Sequence, residues 1–314
     1  MTAWLRRLGP LAGLVLVVLL FTVLRPGQFV TPANLEIMLL QTAVVATAAL
    51  GMTLVIAAGG IDLSVGAQVA LATVTLATLL ARGWSPSAAA ATTVLTGAAC
   101  GCLIGGLVAG LRLPPFIVTL GTWGGLRGLA KGLSGETMVV APTTWLNDLL
   151  TALPPEQRWM VVPPGVWLTI SLAVAVAALL QFTVFGRHVL AIGSNEPTAR
   201  LCGVAVDRVK VAVYTLASAL AAVAGVLQFA YLTVGDPTTA LGMELDVIAA
   251  VVIGGASLTG GRGSVAGTLI GALIMTAVAN GCTKLELPNW VQEIVTGVII
   301  VAAVAIDRLR RRDE

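Results

Sequence analysis

The sequence is short of charge before anything else: Asp, Glu, Lys and Arg make up 11% of it, against about 25% in an ordinary soluble domain. A chain this poor in ionisable groups cannot cover itself with hydrated surface. It has one histidine, His188, in a basic stretch where a solvated surface role fits better than a proton relay. The four cysteines, Cys100, Cys102, Cys202 and Cys282, stand at no metal-ligand spacing and share no loop, so they read as small packing residues. A net charge of +3, dispersed along the chain, gives nucleic acid no footprint. No phosphate-binding GxxxxGK followed by Ser or Thr is present. The nearest stretch, LTGGRGS (Leu258 to Ser264), reads as a tight turn with Arg262 near lipid headgroups or a partner.

What fills the chain is apolar: 57% hydrophobic residues, a mean hydropathy of +0.97 and 35 glycines. That composition specifies an all-α integral membrane protein, one polytopic domain over residues 1–314, whose small residues let helices approach closely in lipid. Ten spans are expected, at about 8–24, 35–57, 64–81, 87–110, 115–131, 163–184, 209–233, 244–257, 264–282 and 290–306. The N-terminal stretch has the charged and apolar regions of a signal peptide without a small-residue cleavage site, and is read as the retained first span. Counting Lys and Arg gives twelve on one side (Arg6, Arg7, Arg112, Arg187, Arg200, Arg208, Lys210, Arg262, Arg308, Arg310, Arg311, Arg312). Six fall on the other (Arg25, Arg82, Arg127, Lys131, Arg158, Lys284), which puts both termini in the cytoplasm.

The stretch around which the rest is organised is Gly51 to Gly66, GMTLVIAAGGIDLSVG. Gly59 and Gly60 permit torsions other residues avoid, and Asp62 and Ser64 can cap the helix that follows through Gly66. Gly51 inside the second span and the shortness of Glu244 to Ser257 both predict broken or re-entrant helices, near Gly59–Asp62 and Gly254–Gly263. VIAAGGIDLSVG (Val55 to Gly66) and VIGGASLTGGRG (Val252 to Gly263) also end in similar breaks, so an internal repeat is one reading and coincidence the other.

GMTLVIAAGGIDLSVGAQVALA resembles the signature of permease subunits of bacterial ATP-driven sugar importers, the ribose, xylose and galactose permease family. LPPFIVTLGTWGGLRG (Leu113 to Gly128), FGRHVLAIGSNEPTARLCGV (Phe185 to Val204) and Glu244 to Ile274 agree with it in the same order. The resemblance implies a homodimer in the bacterial inner membrane that forms the path for a ribose- or xylose-like monosaccharide. It also implies a separate ATP-binding cassette ATPase, which uses the ATP and Mg, and an extracytoplasmic sugar-binding protein. This chain would bind no cofactor and catalyse nothing.

Three polar segments carry further expectations. In residues 132–162, the long outward loop, Thr143 or Thr144 can cap a short helix through Leu150; Trp145, Leu146, Leu149 and Leu150 would lay it on the membrane interface, or the loop would dock the binding protein. In 185–210, Ser194 or Asn195 can cap a helix closed by Gly203, with Glu196 and Arg200 spaced i,i+4. By local pattern it is a connector. By resemblance it is the ATPase-coupling segment, with Gly193, Asn195, Glu196, Ala199, Arg200 and Gly203 as its residues. For the solute path the expected residues are Gln41, Gln68, Trp123 and Asn280, although an isolated amide in lipid more often bonds a neighbouring helix. Every carboxylate falls at a span end or in a loop, which disfavours the alternative class, an ion-coupled secondary carrier. A membrane-embedded enzyme comes last, because no nucleophile, metal cluster or acid/base pair stands out.

Overall fold

The computed structural model describes residues 3–312, with the side chains of 3–8, 155, 158, 303–304 and 306–312 left aside. Those side chains include Arg6, Arg7, Arg158, Arg308, Arg310, Arg311 and Arg312, so seven of the eighteen charges in the orientation count lie outside the described side chains. Ten helices fall where spans were expected: α1 (Ala3–Leu24), α2 (Pro32–Ala57), α3 (Val65–Ala81), α4 (Pro86–Gly110), α5 (Pro115–Ser134), α6 (Pro164–Phe182), α9 (Val206–Leu232), α10 (Met243–Ile253), α11 (Val265–Lys284) and α12 (Asn289–Arg312). Two more, α7 (Val184–Ser194) and α8 (Glu196–Leu201), lie between α6 and α9. Five of the ten are long and apolar enough to cross a bilayer by length and composition: α2, α4, α6, α9 and α11. The outer faces are apolar, with Val15, Val23, Leu95, Leu103 and Val174 all exposed, as lipid contact requires.

Prolines in the first turn start α2, α4, α5 and α6, where the missing N–H costs nothing. The core is built on α9, which packs against α4, α2 and α3. Gly97, Gly101 and Gly105 of α4 recur every four residues and face Ser218, Tyr214 and Val211 of α9 so closely that a Cβ on any of them would collide. This small-residue seam lets the two backbones touch, and dispersion between them replaces the hydrophobic drive that lipid removes.

The opposite ends of the bundle differ. At one end a short antiparallel ladder pairs β1 (Val139–Val140) with β2 (Val234–Gly235), tying the long loop to the exit of α9. At the other lie α7 and α8. Between α9 and α10 the chain turns back into the bundle: Ala240, and Glu244 in the first turn of α10, reach Gly66, the second residue of α3. The 11 residues of α10 give about 16 Å, half a bilayer core.

Several expectations require correction. Gly51 does not break α2, which is continuous through it; it packs against the Ala217 backbone at the distance only glycine tolerates. Trp145 to Leu150 is not an interfacial helix: only Asn147–Leu150 forms a 3-10 turn, and Leu146 and Leu150 are buried in the protein core. The segment from Phe185 to Ser194 is not loop but α7, with Gly186, Val189 and Ile192 buried. Arg127 is not an outer-surface charge; α5 runs on to Ser134 and buries it.

The seam makes a testable contrast within α4. Gly101→Ala should lower thermal stability by about 1–3 kcal/mol through overpacking, whereas Gly106→Ala, with nothing near the new methyl, should stay within about 0.5 kcal/mol. Melting midpoints of the detergent-solubilised variants, followed by size-exclusion fluorescence, check the difference.

Candidate translocation and coupling site

The break between α2 and α3 is built by glycine and one carboxylate. Gly59 has φ +81°, and the N–H groups of Gly59 and Gly60 return to Ile56 O and Val55 O, a left-handed helix end that satisfies carbonyls the helix leaves open. The end of α10 repeats it: Gly255 has φ +92°, and Gly255 and Ala256 donate to Val252 O and Val251 O. The two stretches whose sequences looked alike therefore make the same turn. Asp62 is buried and accepts hydrogen bonds from Ser64 N (2.8 Å), Ser64 Oγ and Gln68 Nε2 (3.3 Å). Ser64 is the N-cap residue of α3, yet its own side chain caps nothing; it is engaged by Asp62 and Gln68 instead. Gln68 Oε1 has no partner, and Tyr214 Oη lies against Gly60 with none.

The second part is a junction of backbones. Gly193, near the end of α7, lies against Ala57 O and Gly261 N so closely that a side chain there is excluded. Gly261 N donates to Ala57 O (3.0 Å), and Gly260, with φ +85°, abuts Gly193 from the other side. Both breaks thus meet at the root of α8. Asn195 caps α8 by accepting from Thr198 N (2.9 Å), and Gly203, with φ +83°, closes it through Gly203 N to Arg200 O and Val204 N to Ala199 O. Ser194 ends α7 and is not the cap. Glu196 and Arg200 do touch (3.5 Å), but their shorter contacts run to α9: Arg200 to Asp207 (2.7 Å) and Lys210 to Glu196 (2.7 Å). Ala199 faces inward and is buried, while Leu201, passed over in the sequence, is 89% exposed.

The third part is a cavity of about 290 Å³ between α2, α9, α10 and α11, lined by Gln41, Gln228, Tyr231, Leu241, Asp246 and Thr276 among others. Its size is near the low end for small-ligand sites, roughly 300–1,000 Å³. Gln41 Nε2 donates to Tyr231 Oη (3.2 Å) across it. The structure does not bring the other three expected path residues to this cavity. Gln68 belongs to the Asp62 network, and Asn280 exchanges reciprocal hydrogen bonds with Asn34 (2.8 and 3.1 Å). The Trp123 indole lies beside Glu244 with its N–H unpartnered. Asp246 and Thr276 were missed, Asp246 because its place near a span end suggested a loop. Arg127 was legible as a lone charge inside an apolar stretch. Among the described residues no group of His, Cys, Asp and Glu could hold a metal ion.

Many packed apolar helices, one half-length helix, a cavity with five polar side chains in a largely apolar lining and an exposed short helix at one end are the parts of a membrane-embedded transport subunit. The family model described as "Branched-chain amino acid transport system / permease component" matches residues 34–304, and the chain belongs to that family of permease components. It is 38% identical over 309 residues to the ribose import permease protein RbsC of Escherichia coli (strain K12), covering 98% of this chain and 96% of that one. Identity to RbsC of Bacillus subtilis (strain 168) is 39% over 305 residues, covering 97% and 93%. To the L-arabinose ABC transporter permease protein AraH of Azospirillum brasilense it is 36% over 284 residues, covering 90% and 82%. No solved structure matches. As a permease component the chain is the multi-pass membrane part of an importer driven by a separate ATPase and is not itself the enzyme; the ion-coupled carrier finds no support.

The Asp62 network predicts a graded response. Asp62→Asn keeps an acceptor for Ser64, and Gln68 can turn its unused Oε1 to the new amide, so assembly and most uptake should persist. Asp62→Leu strands the Ser64 and Gln68 donors at about 1–3 kcal/mol each and should sharply reduce intact permease on size exclusion. Equal loss in both variants would refute this account of the turn.

Proposed function

We propose that the chain forms the path for a monosaccharide of the ribose or arabinose class, working as a homodimer on two ATPase subunits and receiving solute from a binding protein. The sugar class is supported by the import permeases it is similar to and by the cavity lining. Within a lining that also holds Val44, Val45, Met243 and Met275, the amides of Gln41 and Gln228, the Tyr231 phenol, the Asp246 carboxylate and the Thr276 hydroxyl offer hydrogen-bond partners to a polyhydroxyl solute. ATP and Mg are used by the ATPase, and this chain binds no cofactor. The α8 end faces the cytoplasm together with both termini, and the β-ladder end faces the binding protein. For the homodimer, α5 offers Gly121, Gly124, Gly125, Gly128 and Gly132, with nothing near them, beside exposed Phe116, Ile117, Leu120 and Leu129.

The observation that carries the reading is α8: a helix capped at both ends, bound to α9 by ion pairs, rooted at Gly193 where the two breaks meet, and presenting Leu201 outward. An apolar side chain that exposed on a fixed short helix suits a groove on a partner. Because Ala199 is buried, it serves the fit of α8 onto the protein and not the outer contact.

Proteoliposomes holding the permease and ATPase, with ATP inside and binding protein outside, should take up ribose or L-arabinose in the presence of an uncoupler. Leu201→Arg should leave insertion normal, lose co-purifying ATPase and cut uptake at least about tenfold. Normal ATPase association and uptake in that variant would overturn the role of α8. Uptake that needs a proton gradient instead of ATP would overturn the proposal as a whole.

A further inference from the structure

Between β2 and α10 the chain crosses the bundle without regular structure, and its shape is imposed from outside. Arg127 Nη1 donates to Pro237 O (2.9 Å) and Thr239 O (2.6 Å) from the middle of α5. Gln228 Nε2 holds Thr239 Oγ1 from the other side (3.1 Å), and Asp236 ties off the entry by accepting from Thr238 N and Oγ1. Ala240 sits at φ +56°, a region that costs a non-glycine residue energy, followed by Gly242 at φ +80°. Ala240 and Leu241 line the cavity, and the Ala240 carbonyl backs onto Gly66, where any side chain would push it away. A strained backbone persists only when its surroundings hold it, and here one buried cation supplies two of the holding bonds.

We propose that residues 236–242 are the movable wall of the solute cavity and that Arg127 is its positioning residue, a latch on the carbonyls of Pro237 and Thr239. A guanidinium buried among helices is costly in a membrane unless it has a task. Among the described residues none forms an ion pair with it within salt-bridge distance; Asp236 and Glu244 act on it from further away, and its Nε and Nη2 are unpartnered. The charge is thus held loosely and its strongest bonds go to the wall itself. When those bonds open, the strain at Ala240 relaxes and the wall moves, changing access to the cavity between Gln41, Gln228 and Asp246.

The inference rests on the cavity being part of the solute path, so wall movement and transport are read separately. The first reading is made on the full-length permease in membranes. In a background whose four cysteines are replaced by alanine, Met243→Cys, at a buried residue of the cavity lining just after the wall, is labelled with a membrane-impermeant maleimide. Adding Arg127→Gln should raise the labelling rate about tenfold, the change expected on losing charged hydrogen bonds, and Arg127→Lys should restore part of the difference. Gly66→Ala pushes the neighbouring Ala240 carbonyl of the same segment from behind and should raise labelling with Arg127 intact, which keeps the test open if Arg127→Gln does not insert. In the reconstituted importer, Arg127→Gln should lower solute moved per ATP hydrolysed while ATPase association stays normal. Unchanged labelling in the inserted variants would overturn the wall, whatever transport shows. Raised labelling with an unchanged transport ratio would place the cavity off the path and overturn the latch as a transport residue.

Discussion

The structure depends on one close approach of backbones, at Gly193. Its α-carbon fits between the Ala57 carbonyl and the Gly260–Gly261 turn with no room for a methyl group, and Ala57 O is at the same time the acceptor for Gly261 N. Three segments far apart in sequence meet there: the end of α2, the end of α7 and the loop between α10 and α11. Contact at that range is made by peptide groups, which have no rotamers to relax. A displacement of α7 or α8 must therefore be shared by both breaks or rupture the junction.

Breaking a helix inside a lipid-bound protein leaves carbonyl and amide groups that no water can satisfy, each costing several kcal/mol. Both breaks meet this by curling into left-handed ends that recover the bonds locally. The remaining polar groups are spent on register: Asn34 with Asn280, Thr47 with Thr169 and Thr53 with Thr268 are reciprocal or paired contacts between helices. Each such contact in a membrane contributes only about 0.6 kcal/mol on average. Their effect is to select one vertical alignment of α2 against α6 and α11, while bulk stability comes from the glycine-seamed contacts of α4, α2 and α3 with α9.

What was legible in the sequence was local. Span positions follow from apolar runs, and the glycine breaks and the Asn195-to-Gly203 helix follow from cap chemistry confined to a few residues. The misreadings share a cause, which is that a partner distant in sequence decided the outcome. Gly51 carried the mark of a break but serves close packing, because Ala217 lies opposite it. Asn280 looked available to a solute until Asn34, 246 positions away, claimed it. Arg127 was assigned to the outer surface by counting charges, a procedure that cannot see the carbonyls of Pro237 and Thr239 arriving from beyond α9. Leu201 was overlooked because one apolar residue in an apolar chain carries no signal until its exposure is known.

Between the junction and the cavity stands α10, and its packing decides what can pass from one to the other. Gly254 and Gly267 meet backbone to backbone, and Ala250 does the same with Gly271, so α10 and the first turns of α11 are fixed together as one body. The C-terminal end of α10 leads into the Gly260–Gly261 turn at Gly193; its N-terminal end follows directly on the strained segment that borders the cavity. An 11-residue helix is stiff over its length of about 16 Å. Motion entering at the junction cannot be absorbed within α10, and the seam with α11 resists a separate tilt. The place where it can be taken up is the irregular stretch ahead of Met243, so the backbone without helical hydrogen bonds borders the cavity lined by Gln41, Gln228 and Asp246, and the close backbone contact at Gly193 lies at the end where α8 is rooted.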